Sequence, residues 1–233
     1  MAELIFTDKE LVGERMGIVL NHLPMLQRQT VLDSIVTYRF KKDDLVYVED
    51  TTPNDCMFML EGKVKIYQSG IGNRDQILRL IACGELFGYD AHFAKRNYVT
   101  RAAALEPSVI CFIPMETIDE LAQSNLSFAN ELLRTVSRNL MFDDERIISL
   151  TQKRVRARLA EALLMIRDAY GMQADGKTLC LNPSRKDLAD MSNMLTNNAI
   201  RTLSAFVDEN IVEVDRRKIK IIDIDKLTNI SDN

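Results

Sequence analysis

The 233-residue sequence predicts an α+β chain in three parts: an N-terminal β jelly-roll barrel, a long helix, and a C-terminal winged helix-turn-helix. Three observations carry this. From Tyr38 to Pro114, β-branched and aromatic residues alternate with polar ones between closely spaced turns. From Ala129 to Leu150 an apolar stripe recurs at 4-3 spacing. After Asn182, two helical segments are joined by a turn of three residues and followed by a hairpin pattern. The expected boundaries are 1–123 for the barrel domain, 124–151 for the helix and 152–233 for the winged helix-turn-helix domain.

Between Thr7 and Val36, Leu20, Leu23, Leu26, Val31, Leu32 and Ile35 have helical spacing with Pro24 interrupting, which predicts short helices. In Lys63 to Tyr67, Val64 and Ile66 fall on one face and Lys63 and Lys65 on the other, the pattern of a half-buried strand. Turn residues at Asp43-Asp44, Pro53-Asn54-Asp55, Glu61-Gly62, Gly70 to Asn73 and Cys83-Gly84-Glu85 space the strands evenly, as a jelly roll or sandwich requires. Pro114 closes the β region, and Met115 to Gln123 is helical.

The stripe of Ala129, Leu133, Val136, Leu140, Ile147 and Leu150, interrupted by Asp143, is the face a long helix offers to a partner helix. Packing of that helix on its own barrel is the alternative. A second helix runs from Arg154 to Tyr170, with Gly171 placed to end it. A short strand is expected over Thr178–Leu181. Ser184, with Asp187 three residues on, is a good N-cap for a helix Arg185–Ser192. After the turn Asn193-Met194-Leu195 comes a helix Thr196–Glu209. Ile211–Val214 and Ile219–Ile224 then flank the basic tip of a hairpin, the wing, and Leu227 to Asn233 is expected to fray.

Composition narrows the function classes. Net charge is −4, but residues 1–151 carry −6 and residues 152–233 carry +2, so an acidic part is joined to a mildly basic one. Cys56, Cys83, Cys111 and Cys180 lie too far apart for a local metal motif and read as reduced, mostly buried thiols. No apolar run approaches a membrane span and the N-terminus lacks a secretory pattern, so no membrane is expected as a partner and the default compartment is cytoplasmic. An enzyme on the barrel would need two or three histidines with a carboxylate; His22 and His92 are the only histidines, about 70 residues apart. Nor is there a nucleophile elbow, a phosphate-binding glycine loop or a metalloprotease helix motif, so no catalytic residue is assigned.

The order of parts resembles the family of the catabolite activator protein and the fumarate-nitrate regulator, the Crp/Fnr transcription regulators. In the barrel the likeness rests on Phe40 to Val46, on Met57 to Tyr67, and on Gln76 to Ile81 followed by Gly84-Glu85-Leu86-Phe87-Gly88; in the reader it rests on Ser184 to Ala189 and Leu195 to Leu203. It implies a homodimer joined through Leu133, Val136, Leu140, Ile147 and Leu150, bound to a near-palindromic duplex, with RNA polymerase as a further partner. A regulatory subunit with a cyclic-nucleotide module is the rival reading. The helix-turn-helix and basic wing speak against it, because such a subunit needs no helix of groove size.

By that resemblance, the second helix of the motif enters the major groove and its Thr196, Asn197, Asn198 and Arg201 face base edges. Arg201 stands where family members carry an arginine that forks onto guanine, with a salt bridge to a neighbouring acid as the plain alternative. Thr196 and Asn197 replace the usual arginine and glutamate, so the usual half-site is not assumed, and Asn193 replaces a turn glycine but tolerates the left-handed conformation. Ser184, Arg185 and Lys186 at a helix start, with Arg216, Arg217 and Lys218 on the wing, are expected on phosphates.

The effector region of the family corresponds to Gly84, Glu85, Phe87, Gly88, Tyr89, Asp90, Tyr98, Thr100 and Arg101. Tyr89 stands where nucleotide-binding members have a glutamate for the ribose, and Tyr98 where they have an arginine for the phosphate. Loss of that cation argues against cyclic AMP. Arg101 is near, but strand alternation turns neighbours to opposite faces. A vestigial packed pocket and a pocket for another ligand both stay open. No cysteine precedes Cys56, which argues against the family's iron-sulfur cluster, whereas haem stays open through His22 or His92. Whatever the signal, the mechanism implied is a population shift between DNA-binding and idle arrangements, hinged near Leu150–Lys153.

Overall fold

The structure, a computed structural model, describes residues 2–5, 8–21, 23–70, 72 and 74–232, without the side chains of Ile18 and Val19. His22, Ile71 and Asn73 lie outside the described residues. Two compact units divide the chain: Met1–Gln68 with Ile81–Met141, and Ser69–Leu80 with Phe142–Asn233.

In chain order the first part comprises β1 (Glu3–Ile5), α1 (Lys9–Arg15), α2 (Gly17–Leu20), α3 (Met25–Ser34), β2 (Val36–Phe40), β3 (Leu45–Tyr47), β4 (Asp55–Glu61), β5 (Val64–Ser69), β6 (Asp75–Ile81) and β7 (Leu86–Phe87). After α4 (Asp90–Phe93), β8 (Arg101–Ala104), β9 (Ser108–Pro114) and α5 (Met115–Ser124) complete it. The jelly roll stands as two sheets, ordered β1-β2-β9-β4-β7 and β3-β8-β5-β6. Strand β1 was not foreseen. It pairs antiparallel with β2 through Leu4↔Tyr38, a long-range match that three residues of local pattern do not announce.

Alternation along β4 serves two cores at once. Cys56, Phe58 and Leu60 pack with Val12, Met16, Leu20, Val31, Ile113, Ile118 and Leu121 under the helices, whereas Met57 and Met59 turn the other way among Phe40, Val64, Ile66, Ala102, Ala104 and Ile110. Val64 and Ile66 face this second core as their alternation requires, opposite Ala104 and Ala102 of β8. Each fully buried Leu, Ile, Phe or Met is worth about 1.5–3 kcal/mol. Gly62 ends β4 at φ +94°, and a Cβ there would stand 2.7 Å from the Pro107 carbonyl oxygen, so only glycine fits this turn.

A single helix α6 (Leu126–Gln152) runs from the first unit into the second. In the first unit it buries Phe128 and leans Leu132 on the helical core. On a different face Leu133, Leu140 and Ile147 remain 63%, 61% and 58% exposed, too open for a helix packed only on its own barrel.

The second unit contains α7 (Val155–Tyr170), α8 (Arg185–Met191), α9 (Thr196–Asp208), β10 (Val212–Asp215), β11 (Lys218–Ile221) and α10 (Ile224–Ser231). Its core gathers Leu159, Leu163 and Ile166 of α7 with Leu188, Leu203, Phe206, Ile219 and Leu227, all buried. Gly171 ends α7 at φ +76° and returns its N–H to the Arg167 carbonyl.

Three expectations are corrected, the first two in this unit. The strand at Thr178–Leu181 is reduced to the isolated bridges Met172↔Leu179 and Thr178↔Lys220, because Asp175 bends the chain by accepting from the Thr178 and Lys177 amides and the Thr178 hydroxyl. Residues 224–231 form helix α10 instead of fraying: Asp223 caps it, and the buried Leu227 anchors it against α7, while Asn233 lies outside the described residues. Only Cys56 and Cys111 of the four cysteines are buried; Cys83 is exposed and Cys180 half-buried. Burial pushes the Cys56 thiol up, and raises Cys111 to about 11 against a hydrogen bond from Thr37, so both stay protonated thiols.

Candidate nucleic-acid interface and effector region

Ser184 caps α8 in a full capping box: its Oγ accepts from the Asp187 amide, and Asp187 Oδ2 accepts from the Ser184 amide at 3.0 Å. Ser192 ends the helix, and Asn193 adopts φ +47°, the left-handed turn that asparagine tolerates in place of glycine. Helix α9 follows at once, burying Ala199, Leu203 and Phe206. That buried stripe fixes which side is left over. Thr196, Asn197, Asn198 and Arg201 are all exposed, joined by Ile200 and Ser204, which sequence reasoning did not single out although they share the exposed arc at helical spacing. No hydrogen bond or ion pair of Arg201 occurs among the described residues, so the guanidinium is not committed to a neighbouring acid.

The predicted phosphate contacts divide into two groups. At the wing, Asp215 and Lys218 pair across a two-residue turn with Arg216 at φ +55°. Arg185 Nη2 donates to the Arg216 carbonyl at 2.9 Å, tying the start of α8 to the wing tip, while its buried Nη1 has no partner among the described residues. Desolvation, then the charge of Arg217, lowers the Arg185 pKa. Arg185, Arg216 and Arg217 therefore form one basic corner, with Lys218 exposed beside them. Lys186 differs: its Nζ lies 2.7 Å from Asp75 and 2.6 Å from Asp190. Desolvation pulls its pKa down, but hydrogen bonds to Asp190 and Asp75 outweigh that and raise it.

A polar joint missed by sequence reasoning holds the turn of the motif. Arg146 of α6, buried, donates to the Met191 carbonyl and lies 3.3 Å from Glu161 of α7; Ser149 also donates to Glu161, and Lys153 stands 3.4 Å from it. Arg158 Nη1 donates to the carbonyls of Leu150 and Asn193 at 3.2 and 3.1 Å. Two arginines thus fasten the turn 191–193 to the end of α6. Both breaks in helix, at Lys153 and at the turn, border this joint.

The stripe on α6 lies where the spacing placed it, with Leu133, Val136, Leu140 and Ile147 exposed and Leu150 half-buried. Leu126, exposed and seven residues before Leu133, extends it; its spacing was the signal. Asp143, which interrupts the stripe, is held by Arg79 at 2.5 Å.

In the barrel, Tyr98 is buried, stacks on Tyr47 at 4.0 Å between centroids, and donates its hydroxyl to the Gly88 carbonyl at 2.8 Å. Tyr47 reaches Thr100 at 3.0 Å. Gly88 has φ +78°, and a Cβ there would collide with Met57 Cε and stand 3.2 Å from the Tyr98 hydroxyl. Phenol, thioether and ring thus fill the space beside Gly88. Phe87 and Tyr89 are buried as well, and Tyr89 Oη accepts from Asn139 of α6 at 3.2 Å. Glu85 folds back onto the Ala82 amide at 2.6 Å within the turn at Gly84, and Asp90 is exposed at the start of α4. Arg101 is on the face of β8 opposite Ala102 and Ala104, with Nη2 3.5 Å from Glu49. Strand alternation turns it away from the Tyr98 side.

Comparison with known proteins agrees with this architecture. The profile of the cyclic nucleotide-binding domain matches residues 37–125, and that of the Crp-like helix-turn-helix domain matches residues 157–230. Electron transport regulator A of Shewanella oneidensis is 24% identical over 205 residues, covering 87% of this chain and 82% of the relative. The transcriptional activator protein FnrA of Stutzerimonas stutzeri is 23% identical over 219 residues, covering 93% and 88%. Among solved structures, FixK2 from Bradyrhizobium japonicum superposes with a TM-score of 0.76 at 20% identity, over 84% of this chain and 96% of that one.

A barrel of the cyclic-nucleotide type carrying a winged reader defines a DNA-binding transcription regulator, and not an enzyme. Both matched domains and the relatives place the chain more narrowly: it belongs to the Crp/Fnr family.

Proposed function

We propose that the chain acts as a homodimer joined along α6, setting two α9 helices into successive major grooves of a near-palindromic operator about 34 Å apart. The carrying observation is the coexistence of two exposed faces in one chain: the apolar stripe Leu133, Leu140 and Ile147, which water disfavours, and the polar arc of α9, which has no packing role. Asn197 and Arg201 read base edges, Thr196 and Asn198 flank them, and the corner of Arg185, Arg216 and Arg217 holds the backbone. RNA polymerase is the further partner and the cytoplasm the working compartment; among the described residues no helix is long and apolar enough to cross a membrane.

Selection of bound sequences from random duplex DNA, with the oligomeric state measured by sedimentation, tests this reading. A near-palindrome bound by a dimer is expected; a monomer, or an asymmetric single half-site, overturns it.

For the barrel, we infer regulation by something other than cyclic AMP. Tyr98 fills with a neutral phenol the place where a phosphate would need a cation, and Arg101 lies half-buried beside Glu49 on the opposite face of β8. Equilibrium dialysis is expected to show no micromolar cyclic AMP binding. Haem stays open: Asp119 holds His92 Nε2 at 2.9 Å, which leaves Nδ1 as the nitrogen an axial ligand would use, and the absorbance spectrum of the purified protein checks this. Cys56, the cysteine nearest the N-terminus, is buried in the helical core, which does not suit an iron-sulfur ligand.

A further inference from the structure

Among the described residues, Lys186 is the one predicted phosphate contact whose charge is already answered. Asp190, one helical turn along α8, is a local partner at 2.6 Å, but Asp75 comes from 111 residues away in sequence and sits at 2.7 Å. Asp75 is held for this. Ser69 donates to its other carboxyl oxygen at 3.0 Å, and the strand it begins is fixed at two further points: Gln76 Nε2 donates to the Met191 carbonyl at 3.4 Å, and Arg79 forks onto Asp143 of α6 at 2.5 and 3.4 Å. Residues 69–80 belong to the same compact unit as the helix-turn-helix. The result is a strap whose carboxylate occupies the ammonium that a DNA phosphate would otherwise take.

We propose that Asp75 is a latch on DNA binding: it competes with the phosphate backbone for Lys186, and β6, fastened through Gln76 and Arg79, keeps the reader at reduced affinity until that pair opens. This rests on the reading of Lys186 as a phosphate contact. The physics is a direct exchange. The ammonium already shares its donors between Asp190 and Asp75, and the Asp75 carboxylate both takes a donor and repels a phosphate brought to the same place. The pair is half-open to solvent, Lys186 being 55% exposed, so its worth is that of a surface ion pair and its loss shifts affinity by about two- to five-fold per chain. A latch of this size is easily reversed. Release adds one neutralised phosphate per chain, which steepens the salt dependence of binding by about one in log–log slope.

The test is fluorescence anisotropy with a labelled mixed-sequence duplex, titrated at several salt concentrations with the full chain. Asp75→Asn is expected to bind two- to five-fold tighter with the steeper slope, while Asp225→Asn, an equal change in net charge on α10, does not. Arg79→Gln, which unfastens the strap and leaves Asp75 intact, is expected to tighten binding although it removes a positive charge; it also keeps the test standing should Asp75→Asn fold poorly. In the Lys186→Gln background the gain from Asp75→Asn vanishes.

A gain no larger than that of Asp225→Asn, or one that persists without Lys186, overturns the latch. Should Lys186→Gln leave affinity and slope unchanged in the Asp75→Asn background, the phosphate contact itself is what fails. Should it weaken binding there while Asp75→Asn matches wild type, only the latch fails.

Discussion

Removing the charge of Glu161 is the sharpest test of how the reader is held. Arg146 is 5% exposed on its side chain and Glu161 25%, and their closest approach is 3.3 Å. Glu161→Gln keeps the shape but leaves a buried guanidinium whose remaining acceptor is the Met191 carbonyl. Breaking one side of a buried pair costs about 3–5 kcal/mol. The partial exposure of Glu161 and the half-open position of Lys153 scale this down to about 2–4 kcal/mol for the second unit. Arg146→Met is milder, about 1–2 kcal/mol, because Glu161 retains Ser149 and Lys153 and still reaches water. Converting both residues to Met is expected to recover to within about 1 kcal/mol of wild type, since an apolar pair has nothing left to desolvate. Urea unfolding monitored by circular dichroism gives the three values. Additive single effects, or a Glu161→Gln cost below about 0.5 kcal/mol, would refute the reasoning.

Other outcomes follow from the same geometry. Arg201→Ala is expected to relax sequence preference at one base pair by about 1–3 kcal/mol, measured on a panel of single-base operator variants; uniform weakening across the panel contradicts base reading. Replacing Leu133 and Leu140 with glutamate puts four charges into the shared seam of a dimer and should give a monomer without operator affinity, read by sedimentation and gel shift. Gly88→Ala forces a Cβ onto Met57 at φ +78° and should destabilise the barrel by about 1–3 kcal/mol in urea unfolding. Asp175 is held at about 2, below its ordinary 3.8, first by the Thr178 hydroxyl and then by the Thr178 and Lys177 amides. Its folded pKa is depressed, so its contribution is complete above the unfolded value and fades as pH falls from about 4 towards 2. The melting difference between wild type and Asp175→Asn should shrink over that window, and a constant difference would remove the charge from the explanation.

The sequence by itself determined whatever depends on period and on neighbours along the chain. Alternation at Val64 and Ile66 set the faces of β5, Ser184 with Asp187 set the start of α8, Asn193 permitted the left-handed turn, and the seven-residue recurrence on α6 marked its exposed stripe, because caps, turns and stripes are written within a few residues. Only the tertiary structure decided which distant groups meet. Nothing local foretells that β1 joins β2, that Arg146 answers Glu161, that Tyr98 closes on Gly88 or that Asp75 takes hold of Lys186. Such pairings lie 10 to 111 residues apart, and their energies come from desolvation and geometry that exist only after the chain has closed upon itself.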